Sequence, residues 1–198
     1  MKTKEQKSQI CAIIASVLVI AGYGVYFLGN FVGTVRPNVS SWIVLAFLAV
    51  LNLASYRNLT KSWVKSTFSV VNTILIVLLA LLVMRNGSFG NLGIAEWTCL
   101  VFGVAAGLCW WIFQKKNFTK VLVQVVLETG VAIAFIPTII SVAHNPSNES
   151  WLTWLLWTGS FFMQFLVVKL DWSGKYIDFL FPLNRVALNG LVCVLAFR

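Results

Sequence analysis

Seven apolar stretches, at about 10–29, 39–57, 66–84, 95–113, 121–143, 151–168 and 177–197, constrain this 198-residue chain more than any other feature. Each holds roughly 18–23 residues, enough at about 1.5 Å rise per residue to cross a hydrocarbon layer of about 30 Å. The stretches are continuous rather than alternating. That favours helices over barrel strands, since a helix satisfies all its backbone hydrogen bonds within one segment. Connections of roughly 7–10 residues leave no room for an extramembrane domain. The expectation is an all-α integral membrane protein with seven transmembrane helices. A secretory leader is not expected at the N-terminus, because the first apolar run is long, lacks a small-x-small cleavage site and aligns with the fifth.

A net charge of +9 would point to nucleic acid in a soluble protein. Here 59% of residues are hydrophobic and the basic ones sit between the apolar runs, where they set topology and meet anionic lipid instead. One side collects Lys2, Lys4, Lys7, Arg57, Lys61, Lys65, Lys115, Lys116, Lys120, Lys169 and Lys175; the other has only Arg36, Arg85 and Arg198. The positive-inside rule then places the N-terminus in the cytoplasm and the C-terminus outside, with anionic lipid as a partner at the cytoplasmic face. The expected location is an integral membrane one, the bacterial inner membrane. Trp42, Trp97 and Trp151 fall at the outer helix ends, and Trp63, Trp110, Trp111 and Trp172 at the inner ends, as interfacial tryptophans do.

The chain also repeats itself. At an offset of 109 residues, Pro37 meets Pro146, Ser41 meets Ser150, Trp42 meets Trp151 and Trp63 meets Trp172, all without a gap. Helices 1–3 and 5–7 therefore read as two parallel three-helix repeats joined by a linker helix, a 3+1+3 plan. The corresponding divisions are residues 1–84, 85–118 and 119–198. An odd number of helices per repeat would invert the second copy, and the single extra helix restores its direction.

Seven helices in this plan, a proline near the outer end of helix 5 and a Pro-x-x-x-Ser-Trp opening to helices 2 and 6 resemble the PQ-loop/SWEET-type superfamily. The chain is most similar to bacterial seven-helix members carrying Phe-x-Pro-Thr ahead of Pro-x-x-x-x-Trp-x-x-Trp, matched here by Phe135, Pro137, Thr138, Pro146, Trp151 and Trp154. Helix 5 reads Pro137-Thr138 where the superfamily has Pro-Gln, and the N-inside orientation is similar to that of the nicotinamide-riboside transporters. The resemblance implies a transporter that moves a small solute by alternating access.

Independently of the resemblance, ionisable groups inside membrane helices cost roughly 2.5–3.5 kcal/mol each on insertion scales and mark function. Two stand out, Glu128 in helix 5 and Arg185 in helix 7. Glu128 lies about 12 Å beyond Lys120 along its helix and Arg185 about 15 Å beyond Lys175, so both reach a similar depth and can face each other. Gln124 shares the Glu128 face. Asp178, Pro182, Arg185 and Asn189 fall on one stripe of helix 7. Asn52, Asn72 and Gln164 lie at comparable depths in helices 2, 3 and 6. The candidate solute-binding set is Asn52, Asn72, Gln124, Glu128, Arg185 and Asn189, and the candidate hinges are Pro137 and Pro182. A buried ion pair fixing helix 5 against helix 7 explains Glu128 and Arg185 equally well, as interhelical hydrogen bonding explains the amides. Trp151, Trp154 and Trp157 form a stripe that serves either packing or an aromatic wall.

These residues suit a polar neutral or zwitterionic solute, such as a sugar, nucleoside or vitamin-like molecule, moved by facilitated diffusion or with protons through Glu128. The alternative is a non-transporting scaffold, receptor or accessory subunit on the same fold, with partners on its basic face. Enzyme chemistry is not expected, for one buried carboxylate and the single His144 give no converging acid–base pair. No cofactor or metal is implied, and the isolated Cys11, Cys99, Cys109 and Cys193 read as small buried hydrophobes. One chain suffices to enclose a path, so a monomer and a homo-oligomer both remain open.

Overall fold

The computed structural model describes residues 3–61, 63–86, 93–113, 120–172 and 174–198. Seven helices account for nearly all of them: α1 (Lys4–Val32), α2 (Val39–Thr60), α3 (Trp63–Asn86), α4 (Ile94–Phe113), α5 (Lys120–His144), α6 (Trp151–Leu170) and α7 (Leu180–Phe197). Each is long and apolar enough to cross a membrane. The described residues contain no strand. Of the expected topogenic charges, Lys2, Lys115 and Lys116 lie outside the described residues, as do the side chains of Lys120 and Trp63 and the division at 118/119.

Local chemistry sets the helix ends. Thr3 caps α1 reciprocally with Gln6, Asn38 caps α2 through Ser41 N–H and Ser150 caps α6 through Thr153 N–H. Gly33 ends α1 in the left-handed region at φ 79°, which a residue with a Cβ rarely adopts. Pro37 precedes the cap of α2, while Pro146 opens a separate 3-10 turn, Pro146–Asn148, rather than α6. Pro137 is buried within a continuous α5. Pro182 is the third residue of α7, in the first turn, where no intrahelical N–H bond is forfeited. The helix 7 expected from about residue 177 thus begins at Leu180, preceded by the 3-10 turn Tyr176–Phe179.

Within the bundle, α1 packs on α3 and α6, α2 on α3, α4 and α5, α4 also on α5, and α7 on α5 and α6. Helix α1 comes close to α6 over Gly22, where an added Cβ would lie 2.6 Å from Nε1 of Trp157. Outward faces carry Ile13, Val17, Ile20, Leu78, Leu81, Val101, Val104 and Val194, exposed as lipid-facing residues are. Trp97, Trp111, Trp151 and Trp172 are likewise exposed near helix ends. Trp42 differs from the interfacial role expected of it, being 2% exposed inside the bundle.

The bundle has two distinguishable ends. At one, the α1–α2 and α5–α6 connections touch through Arg36 N–H donating to Asn148 C=O at 2.9 Å, and Arg198 donates to Ala143 C=O at 2.8 Å. At the other, the start of α3 meets the α6–α7 connection through Lys65. These are called below the Glu149 end and the Lys65 end.

Candidate functional site

The buried face of α5 presents Gln124, Glu128, Val131 and Phe135 at helical spacing toward α2 and α7. Glu128 Oε1 accepts from Nδ2 of Asn52 and, at 3.3 Å, from Nε2 of Gln124; Gln124 Nε2 also donates to Asn52 Oδ1 at 2.7 Å. Oε2 accepts from Asn184 Nδ2 at 2.7 Å and lies 3.9 Å from Arg185 Nε. Three amides from α2, α5 and α7 therefore hold the carboxylate, with the guanidinium as its counter-ion. The expected depth match of Glu128 and Arg185 is realised as a contact.

Arg185 stands between two small voids. The first, about 30 Å³, is lined by Arg185, Asn72 and Asn189 and by the rings of Tyr23, Trp42, Phe135, Trp154, Trp157 and Phe161, with Leu45 and Ile76. The second, about 10 Å³, is bounded by Arg185, Asn52, Asn72, Ser69, Thr73 and Phe181. Tyr23 O–H donates to Asn72 Oδ1 at 3.2 Å, and Asn189 Nδ2 donates to the Arg185 carbonyl at 2.6 Å. Each void has room for a water or so in this conformation. A larger open groove of about 480 Å³ between α1 and α3 is lined by Ile13, Val17, Ile20 and Val71 without an ionisable group, as a lipid-facing cleft would be.

A buried polar cluster lies toward each end of the bundle. At the Glu149 end, the carboxylate of Glu149 accepts from Tyr26 O–H at 2.9 Å and from Trp154 Nε1–H at 3.0 Å. Glu149 precedes the cap of α6, outside the spanning segments, yet is only 6% exposed. Burial pushes its carboxyl up to about 8, although the two hydrogen bonds pull it down. No cation pairs with it among the described residues, whereas Glu128 has Arg185. At the Lys65 end, Lys65 Nζ lies 3.2 Å from Asp178 Oδ2 and 3.8 Å from Asp171 Oδ2, and the Lys65 carbonyl accepts from Gln164 Nε2 at 2.9 Å. Lys65 is 2% exposed, not part of a solvated basic face.

Of the sequence-derived set, Asn52, Gln124, Glu128 and Arg185 form one network, while Asn72 and Asn189 border the first void. Gln164 belongs to the Lys65 cluster. Trp154 and Trp157 face the void, but Trp151 is exposed and packs edge-on against Phe197 at 5.5 Å, so the three tryptophans do not form one wall. Sequence reasoning missed Asn184, Glu149, Tyr26 and Tyr23. Asn184 is adjacent to Arg185 but off the stripe that held it. Glu149 was hidden in a polar break, its only signal being an acid directly ahead of a tryptophan-rich helix. No family model, curated protein or solved structure matches the chain.

Proposed function

We propose that this chain is a small-solute carrier of the bacterial inner membrane, built as a 3+1+3 repeat and working by alternating access around Arg185. The observation that carries the reading is the pair of buried voids at Arg185, flanked toward the two ends of the bundle by different polar contacts, Glu149 with Tyr26 and Trp154 at one, Lys65 with Asp171 and Asp178 at the other. A protein whose interior serves only packing gains little from burying further ionisable groups beyond Glu128 and Arg185, since each costs desolvation. Opening one set of contacts while keeping the other exposes the Arg185 region to one side at a time.

Two further features support the repeat. The neighbours α1–α3, α2–α3 and α1–α6 have as counterparts α5–α7, α6–α7 and α5–α2. Residues 109 apart line the same void, Leu45 with Trp154 and Ile76 with Arg185. The PQ-loop/SWEET-type resemblance of the sequence agrees with this arrangement. Lys4, Lys7, Arg57, Lys61, Lys169 and Lys175 accompany the Lys65 end, which the positive-inside rule assigns to the cytoplasm.

The test is a thermal-shift screen of the purified protein against sugars, nucleosides, vitamins and amino acids, followed by uptake of any binder into proteoliposomes. A ligand of the native state stabilises it by about 2.7 kcal/mol at a hundredfold excess over its Kd. A binder that is also taken up, with both effects weakened in Glu128→Gln, supports the carrier. Binding without flux favours a receptor on the same fold. No binder at all moves the reading to a scaffold.

A further inference from the structure

The site holds hydrogen-bond donors that the protein itself does not use. Arg185 is only 6% exposed, yet its guanidinium donates no hydrogen bond among the described residues; even Nε stands 3.9 Å from the Glu128 oxygen. Glu128 does not take that planar fork here: its oxygens accept from Asn52, Gln124 and Asn184, and the nearest approach of Arg185 is the 3.9 Å from Nε to Oε2. A guanidinium offers five N–H donors in a geometry that matches a carboxylate bidentately. Arg185 borders both voids, so a guest in either reaches it.

Charge balance then restricts the guest. Glu128 and Arg185 together sum to zero. A bare anion arriving at Arg185 would leave one uncompensated negative charge deep in the bundle, which is costly in a low-dielectric interior. A bare cation would be repelled by the same guanidinium. A guest carrying both charges adds none. Its cationic part would find aromatic faces beyond Arg185, where Tyr23 and Trp157 stand 4.8 Å apart between ring centroids and Trp154 and Trp157 4.9 Å. Rings so clustered attract an organic cation without needing free hydrogen-bond acceptors. The one carboxylate at that end, Glu149, is already engaged by Tyr26 and Trp154.

We propose that the guest is a small zwitterion whose carboxylate docks on the Arg185 fork while its cationic nitrogen lies among the rings of Tyr23, Trp42, Trp154 and Trp157. This deepens the carrier reading and rests on it. In the present conformation the void is about 30 Å³, so binding must draw the aromatic wall away from Arg185.

The experiment uses the full chain in detergent and matched probes: trimethylglycine and tryptophan as zwitterions; choline and tryptophanamide as cation-only analogues; 3,3-dimethylbutyrate and indole-3-propionate as anion-only analogues; and sucrose and uridine as neutral solutes. The expected result is a concentration-dependent rise in Tm with at least one zwitterion and with neither of its matched single-charge analogues. Arg185→Lys, which keeps the charge but loses the fork, should weaken that binding at least about tenfold. A single-charge analogue binding as tightly as its zwitterion overturns the proposal, as does unchanged affinity in Arg185→Lys. A shift with sucrose or uridine alone overturns it while leaving the carrier reading standing. No shift with any probe, together with no flux into proteoliposomes, removes both.

Discussion

Glu128 and Glu149 are equally deep within the protein, 3% and 6% exposed, but the fold treats them differently. Glu128 sits mid-helix with three amide donors and the Arg185 guanidinium around it. Glu149 sits just ahead of α6 and has only neutral donors, a tyrosine hydroxyl from α1 and an indole from α6. Of the other charged or titratable groups at that end, Arg85 is exposed and Glu96 accepts from Asn38 Nδ2 and Gly93 N–H. Arg36 and His144 are exposed, with His144 Nδ1 beside the Ile140 carbonyl, and exposed Arg198 donates to Ala143 C=O. A buried carboxylate beside a counter-ion has its charged form favoured, whereas one held only by neutral donors keeps more of the desolvation cost of being charged. Its carboxyl, pushed up to about 8 by burial, changes charge close to neutral pH.

The largest expected effect comes from breaking the compensated pair. Arg185→Gln leaves Glu128 without its counter-ion and should lower stability by about 3–5 kcal/mol, because removing one partner of a buried pair strands the other. The double variant Glu128→Gln, Arg185→Gln should regain most of that loss. Thermal unfolding in detergent measures both, and a double variant no more stable than the single one would show that the two residues do not act as a pair.

Comparable in total, but spread over several pH units, is the pH dependence of Glu149. Its folded value of about 8 lies above the ordinary 4.5, so the folded state binds the proton more tightly than the unfolded one. That contribution is complete below about 4.5 and is lost as pH rises through about 8. Between those limits stability should fall by up to about 1.4 kcal/mol per pH unit. Glu149→Gln should flatten this part of the profile. A slope that survives the substitution would assign it to another group.

The depth of Glu128 and Arg185 was legible in the sequence because a helix advances a fixed 1.5 Å per residue, so distance from a flanking lysine becomes height in the membrane. The seven spans were legible for the same reason. What sequence does not give is direction around the helix axis and the path of a short connection. Lys65 counted among the cytoplasmic charges, yet the Tyr176–Phe179 turn brings Asp178 under it and the pair is buried. The repeat also misled at one position. Trp42 and Trp151 correspond at the 109-residue offset, but α2 begins at Val39 whereas α6 begins only at Trp151, after a 3-10 turn and the buried Glu149. Trp42 is therefore already in the second turn of its helix and faces inward, while Trp151 is the first residue of its own and faces out. The 3-10 turn Pro146–Asn148 and Glu149 thus occupy positions whose counterparts at the 109-residue offset include the start of α2.

The smallest effect sharpens the comparison most. Tyr26→Phe keeps the ring that packs against Trp42 at 5.2 Å and Trp157 at 5.3 Å, and removes only the hydroxyl bonded to Glu149. A single side-chain hydrogen bond within a membrane bundle is worth about 0.6 kcal/mol on average and up to about 1.7. At pH below the ordinary carboxylate range the loss should lie in that interval, since Glu149 is protonated in both states. Above about 8 it should be greater, because a charged carboxylate loses one of its only two donors. Both statements require the midpoint of the pH profile to move upward in the variant, for the Tyr26 bond lowers the Glu149 value. The same hydroxyl deletion at Tyr23, which bonds Asn72 instead, should cost a similar amount at every pH. If the two variants show the same pH profile, Glu149 is not the titrating group at this end, and the contrast with Glu128 reduces to one of position in the membrane.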